Sequence, residues 1–321
     1  MPLRNRSGGW GRHLSRPTRV NERHRTVRPT RRTILATGAG AAFAAALPLT
    51  PAHAAPGRPR QRLRALEQEH GARLGAYAYD TGSGRLVTYR ADERFPMCSL
   101  FKTLCSAAVL RDLDRDGEFL ARRIHYTQEY VTRSGWSPIT KDHVATGMTV
   151  AQLCEYAITH SDNTAANLLL RELGGPTAIT RFARSIGDEV TRLDRWEPEL
   201  NSAEPWRETD TTTPRAIARS YARLVLGGAL APDDRRRLTG WMLANTTSDE
   251  RFRKGLPADW TLADKTGGGR YGGNNDAGIA WPPGRPPVVL AVMTTKPAED
   301  AAADNELVAR AAEVLADAVT R

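Results

Sequence analysis

The strongest constraint on this fold is the position of its strand signals, which fall at both ends of the chain and not in the middle. Early on, "LGAYAYD" and "RLVTYRA" flank Thr81-Gly82-Ser83-Gly84, the pattern of a hairpin. Near the other end come "WTLADKT", "DAGIAWP" and "PVVLAVMTT", with Pro282-Pro283-Gly284 turning between the last two. Between them, from about Ser99 to Trp241, the periodicity is helical. Leu100, Phe101, Leu104, Cys105 and Ala108 recur mostly three or four apart. Thr149 and Gln152 form a capping box that starts a helix running through Ile158. "NTAANLLLREL" stops at Gly174-Gly175-Pro176. "RQRLRALEQEH" and "NELVARAAEVLADAV" read as helices near the two ends. The expected class is α/β of the α+β type. One antiparallel sheet of about five strands is built from both ends, with terminal helices packed on it and an all-α lobe inserted. The α/β lobe would take about residues 55–96 and 237–321, and the helical lobe about 97–236.

Charge divides the chain just as sharply. The formal net charge is +10, but the first 54 residues hold ten Arg, no Lys and one acid, Glu22, which makes +9 and leaves +1 for the rest. A nucleic-acid binder carries its basic footprint on the folded surface, so a nucleic-acid partner is not expected. The early segment has paired arginines (Arg31, Arg32), an apolar run from Ile34 to Leu47, and Ala52-His53-Ala54. That is the layout of an export signal with a small-x-small cleavage site, and the arginine pair is of the twin-arginine kind. The run is too short and too rich in Ala and Gly to span about 30 Å of hydrocarbon. No later segment could cross a bilayer, so an exported chain without a membrane anchor is expected after cleavage following Ala54. Cys98, Cys105 and Cys154 make an odd count, which leaves at least one thiol free. No C-x-x-C pair and no H-x-x-x-H spacing exists in the exported part, so neither a metal nor another cofactor is called for.

Four short motifs carry chemistry. In Ser99-Leu100-Phe101-Lys102 the three-residue spacing places hydroxyl and amine on one helix face. Serine is a poor nucleophile until a neighbour takes its proton, and a lysine among Phe101, Leu104 and Leu110 can do so if burial favours its neutral form. Ser and Lys are common, so this spacing alone should arise about once by chance in such a chain. Ser161-Asp162-Asn163 falls between two helices. Asp162 suits a helix cap, while Ser161 and Asn163 can face a cleft. Lys265-Thr266-Gly267 ends a strand. The run Gly267 to Gly272 matches G-x-G-x-x-G, but no helix follows, as a dinucleotide site requires. Its glycines instead permit close approach to the strand backbone, with Lys265 as charge for an anion. Finally, "RWEPELN" opens an irregular stretch from Arg195 to Asp210, and loops that long without structure are often functional. There Glu197 is a candidate general base, with Asn201 able to hold the same water.

The order S-x-x-K, S-D-N, E-x-x-L-N, K-T-G, together with "DTTTP" and "GLPADWTLADKTG", resembles the class A serine β-lactamases over almost all of residues 60–321. The resemblance implies acyl transfer to Ser99 from a β-lactam: penicillins first, with cephalosporins as a second class. It implies an oxyanion hole from the backbone N–H groups of Ser99 and Gly268, and Ser161 as proton relay to the leaving nitrogen. Lys102 and Asn163 would orient the groups, and Asn163 would also bind the substrate's side-chain amide. Lys265, Thr266 and Gly267 would hold the substrate carboxylate. Trp136 would form an aromatic wall at the cleft mouth. Glu197, held with Asn201, would activate the water that removes the acyl group. Residues 195–210 would be the omega loop, with Arg195 and Asp210 pairing across its neck and a cis bond before Pro198.

This chain departs from the family's habit in places. Leu100 stands where a small or hydroxylated residue is usual, and Gly268 where Ser, Thr or Ala is common. Asn274 falls where a carboxylate-binding arginine can sit, so that role passes to Arg251. Cys105 lies one position from the usual disulfide partner of Cys154, about 100° away around a helix, so no bridge is expected. A cell-wall D-alanyl-D-alanine peptidase or transpeptidase shares three of the motifs but not Glu197 on its loop, and a monomer is expected. N-terminal sequencing of the protein recovered outside the producing cell should begin at Ala55. A start at Met1, or an uncleaved chain retained in the membrane, would overturn the reading of the leader.

Overall fold

The structure, a computed structural model, describes residues 58–320; the leader and its cleavage point lie outside the described residues. The first part of the chain forms α1 (Arg58–Glu69), β1 (Arg73–Asp80), β2 (Leu86–Tyr89) and β3 (Phe95–Pro96). A 3-10 turn at Cys98–Leu100 leads into α2 (Phe101–Ala108), which continues as a π turn at Val109–Leu113. The helical part continues with α3 (Glu118–Ala121), β4 (Arg123–Ile124), α4 (Gln128–Ser134), β5 (Met148–Thr149), α5 (Val150–Thr159), α6 (Asn163–Glu172) and α7 (Thr177–Ser185). An irregular segment precedes β6 (Thr211–Thr212), α8 (Pro214–Val225), α9 (Pro232–Leu243) and α10 (Phe252–Gly255). The chain closes with β7 (Thr261–Gly268), β8 (Asn274–Trp281), β9 (Val288–Thr295) and α11 (Asn305–Thr320).

The main sheet has five antiparallel strands in the order β2-β1-β9-β8-β7. β1 and β9 come from opposite ends of the chain and pair along their whole length, from Arg73↔Thr295 to Asp80↔Val288. Side chains alternate across a sheet, and here both faces are covered. Leu74, Ala76 and Ala78 of β1 point with Val288, Leu290 and Val292 of β9 toward Leu63 of α1 and Leu307 of α11. Tyr77, Val289, Ala291 and Met293 point the other way, against Phe101, Leu104 and Tyr221 of the helical part. That is why these strands read as nearly continuous apolar runs. Two-residue ladders give no periodic signal: β3 with β6 joins the segment before Ser99 to the one before α8, and β4 with β5 lies within the helical part.

α10 reaches α11 only because Gly255 lacks a side chain. A Cβ at that position would lie 2.0 Å from the Ala309 carbonyl oxygen. Gly255→Ala should therefore push α10 off α11 and cost about 1–3 kcal/mol, the usual cost of overpacking. Urea unfolding of the variant measures it, and an unchanged midpoint would show that the two helices do not meet this closely.

Candidate active site

Ser99 sits in the 3-10 turn that feeds α2, one turn before Lys102. The turn packs against the sheet edge at β7, where Gly267 lets the strand come close. A Cβ there would be 3.0 Å from the Met97 carbonyl oxygen and 3.2 Å from the Cys98 Cβ. Gly268 is open by comparison, with nothing nearer than 3.9 Å to an added Cβ.

Lys102 is completely buried, and its ammonium has three protons to place. Nζ donates to the Ser161 carbonyl at 2.8 Å and to Asn163 Oδ1 at 2.7 Å, and it pairs with Glu197 Oε1 at 3.0 Å. Ser161 Oγ lies 3.4 Å away. Three of the four motifs thus converge on one amine.

The S-D-N junction is shaped by capping. α5 starts with the expected box between Thr149 and Gln152 and ends at His160. Ser161 then adopts φ +56, a left-handed turn, and Asp162 caps α6 by accepting from Ala165 N at 2.9 Å. The other Asp162 oxygen accepts from Ile139 N and Thr140 N, at 3.1 and 2.9 Å. Asp162 is spent on structure, which frees Ser161 and Asn163 for the cleft. Asn163 Nδ2 donates to the Ser134 carbonyl at 3.0 Å. Trp136 stands 65% exposed beside them, its backbone carbonyl accepting from Asn163 N at 2.8 Å.

Glu197 arrives from the irregular loop, with the bond to Pro198 cis. It is buried. Oε1 accepts from Ser99 Oγ at 3.5 Å, and Oε2 accepts from Asn201 Nδ2. The loop is closed at its neck by Arg195 Nε to Asp210 Oδ2 at 2.6 Å, while Asp210 Oδ1 accepts from the Asp194 and Arg195 amides. The Asp210 carbonyl accepts from Met97 N at 2.8 Å, which joins the loop's neck to the turn bearing Ser99. Sequence reasoning missed Asn167. Its amide clamps the Glu197 backbone from both sides: Oδ1 accepts from Glu197 N at 3.0 Å, and Nδ2 donates to Glu197 O at 2.9 Å. The available signal was its place four residues after Asn163, on the same face of α6.

At the other end of the cleft, Lys265 is fully buried, with Nζ donating to the Thr266 carbonyl at 2.9 Å. Burial, then the nearby Lys102 charge, hold its amine well below the usual lysine range. Thr266 Oγ1 bonds Thr247 Oγ1. Arg251 lies alongside, with Nη1 donating to the Gly267 and Asn275 carbonyls at 3.1 and 3.0 Å. Arg251 Nε and Asn274 Nδ2 both donate to Asn305 Oδ1, so the two chain positions weighed for the arginine are neighbours in space. All three cysteines are buried and unbridged.

This geometry can be set beside known proteins. A family described as the β-lactamase enzyme family matches residues 58–319. The chain belongs to that family. It is 72% identical over 301 residues to a β-lactamase of Streptomyces fradiae, covering 92% of this chain and 98% of the relative. The structure of the β-lactamase from Streptomyces albus G superposes with a TM-score of 0.80 at 69% identity, covering 81% of this chain and 98% of that one. A β-lactamase structure from Desulfarculus baarsii gives 0.80 at 47% identity, covering 83% and 98%.

A depressed lysine predicts a particular pH response in this β-lactamase. An anion beside Lys265 favours its charged form, so binding takes up a proton when the free amine is neutral. Binding is then complete below the lowered pKa and lost as pH rises through it. The KM of a carboxylate-bearing substrate should begin to rise at a pH well below that of a free lysine, and Lys265→Arg should flatten the rise, because arginine keeps its charge. A flat profile in the parent enzyme would remove Lys265 from the anion's reach.

Proposed function

We propose that this enzyme, a class A serine β-lactamase, hydrolyses β-lactams in two steps through an acyl group on Ser99. The observation that carries the reading is the shared position of Glu197 Oε1, 3.5 Å from Ser99 Oγ and 3.0 Å from Lys102 Nζ in a buried pocket. In the first step Ser99 Oγ attacks the lactam carbonyl as its proton leaves into the Lys102–Glu197 pair. The N–H groups of Ser99 and Gly268 hold the oxyanion, a contribution of roughly 3–4 kcal/mol per donor. The ring C–N bond breaks, and Ser161, beside Lys102, passes a proton to the nitrogen. Asn163 fixes the substrate's side-chain amide, Trp136 walls the cleft mouth, and Lys265, Thr266, Gly267 and Arg251 receive its carboxylate.

In the second step Glu197, steadied by Asn201 and by the Asn167 clamp on its backbone, takes a proton from water. The hydroxide attacks the acyl carbonyl, and Ser99 Oγ leaves with a proton. This step separates a β-lactamase from a cell-wall peptidase. The peptidase reading lacks support here because Glu197 faces the nucleophile. Substrates are proposed to include penicillins and, more weakly held for want of a hydroxyl at Gly268, cephalosporins. We propose further that the leader exports the enzyme through a twin-arginine route and that it acts outside the cytoplasm as a monomer.

Purified protein mixed with a chromogenic cephalosporin should turn over continuously. Glu197→Ala should acylate but deacylate roughly 10²–10⁴-fold more slowly, the usual worth of a positioned base, and mass spectrometry should catch the adduct on Ser99. Normal turnover by that variant would remove Glu197 from the deacylation step.

A further inference from the structure

Beneath the lysine strand lie two carboxyl groups that the reaction does not use. Asp264 precedes Lys265 on β7, and Asp276 lies on β8, opposite Thr266. By strand alternation both project from the face opposite to Lys265. Both are fully buried, and the register of β7 and β8 puts them diagonally across from each other on one face. The sheet makes room for this pair at Gly278, which lies opposite Asp264. A Cβ at Gly278 would be 2.8 Å from the Asp264 Cβ and 2.4 Å from the Ala263 carbonyl oxygen.

The surroundings of the two acids differ. Asp264 is met by donors: Asn245 Nδ2 at 2.8 Å and Arg253 Nη2 at 3.4 Å. Asp276 receives a single amide, Phe252 N at 3.2 Å on Oδ2, and its Oδ1 meets no N–H or hydroxyl donor. A buried carboxylate oxygen without a donor is costly, whereas a carboxylic O–H pointing to its neighbour is satisfied. We propose that Asp276 is a neutral acid at working pH, donating its proton to the Asp264 carboxylate, and that this pair carries a single negative charge, met by Arg253, beneath the strand that bears Lys265.

Burial, and then the Asp264 charge, push Asp276 well above the usual carboxyl range, and burial raises Asp264 too. Burial alone would lower the Arg251 guanidinium, and the Asp276 and Asp264 charges oppose that. The count of charges gives the device its purpose. One negative charge on the pair is met by Arg253, 3.4 Å from Asp264 Oδ1. A second would stand buried without a partner beneath the strand that bears Lys265 and disfavour an incoming carboxylate. Asp276 is thus a positioning residue, since it reaches the substrate only through the β7–β8 pair.

The carboxylate-binding half of this inference rests on the proposed function, but its core can be tested without turnover. Infrared spectroscopy of the full-length enzyme labelled with ¹³C-aspartate, at neutral pH, should show a protonated carboxylic acid C=O band that shifts in D₂O and is missing in Asp276→Asn. Asparagine keeps a neutral donor, so in this variant the KM for a penicillin should stay within about threefold. Absence of the band from the parent enzyme would overturn the proposal even if the variant failed to fold. So would a KM tenfold higher in Asp276→Asn at unchanged kcat. If the parent turned over no β-lactam at all, the proposed function would fall while the band still decided the state of the pair.

Discussion

The site depends on one buried ion pair, Lys102 with Glu197. Neither side chain is exposed to solvent, and the two come from distant parts of the chain. Removing one partner of such a pair typically costs about 3–5 kcal/mol, because the other charge stays buried and unpaired. The pair is tolerable here because each group is otherwise satisfied. The ammonium has the Ser161 carbonyl and Asn163 Oδ1 as well as Glu197, and the carboxylate has Asn201 and Ser99. Each of these partners belongs to one of the sequence motifs. The side chains proposed to carry acyl transfer are thus also the solvation shell that makes burial of the pair possible.

Holding that shell in place falls to residues that never touch the reacting atoms. Asp162 joins the helix cap of α6 to the backbone at Ile139 and Thr140. Asp210 closes the loop neck through Arg195 and reaches Met97 through its carbonyl. Asn167 clamps the peptide groups on both sides of Glu197. Loops bear functional groups well when a rigid scaffold positions them, and here α6 is that scaffold. From one helix, Asn163 contacts the lysine and Asn167 holds the loop that brings the glutamate.

Much of this was legible because it is written in local patterns. The strands at both ends, the Thr149–Gln152 box, the stop at Gly174-Gly175-Pro176 and the Asp162 cap all follow from periodicity or capping chemistry. The pairing of Arg195 with Asp210 and the carrying of Glu197 on an irregular loop came from the family resemblance, and the distances now stand beside them. What stayed hidden has non-local causes. Asn167 acts on a backbone thirty residues away, and its spacing from Asn163 marks a shared helix face but not what that face holds. The β3–β6 ladder is two residues long, below any period. Asp264 and Asp276 read as ordinary strand polar residues until the register of β7 and β8 puts them on one face.

The two ends of the cleft solve the burial of charge in opposite ways. Beside Ser99, the opposite charges of Lys102 and Glu197 neutralise each other within the protein. At the other end, Lys265 is buried, donates to the Thr266 carbonyl and has a second lysine's charge nearby. Desolvation disfavours its charged form until an anion arrives. On the proposed function, a substrate carboxylate would supply the counter-charge the protein withholds, in a medium where the attraction is far stronger than in water. Recognition of the anion and completion of the electrostatics would then be one event.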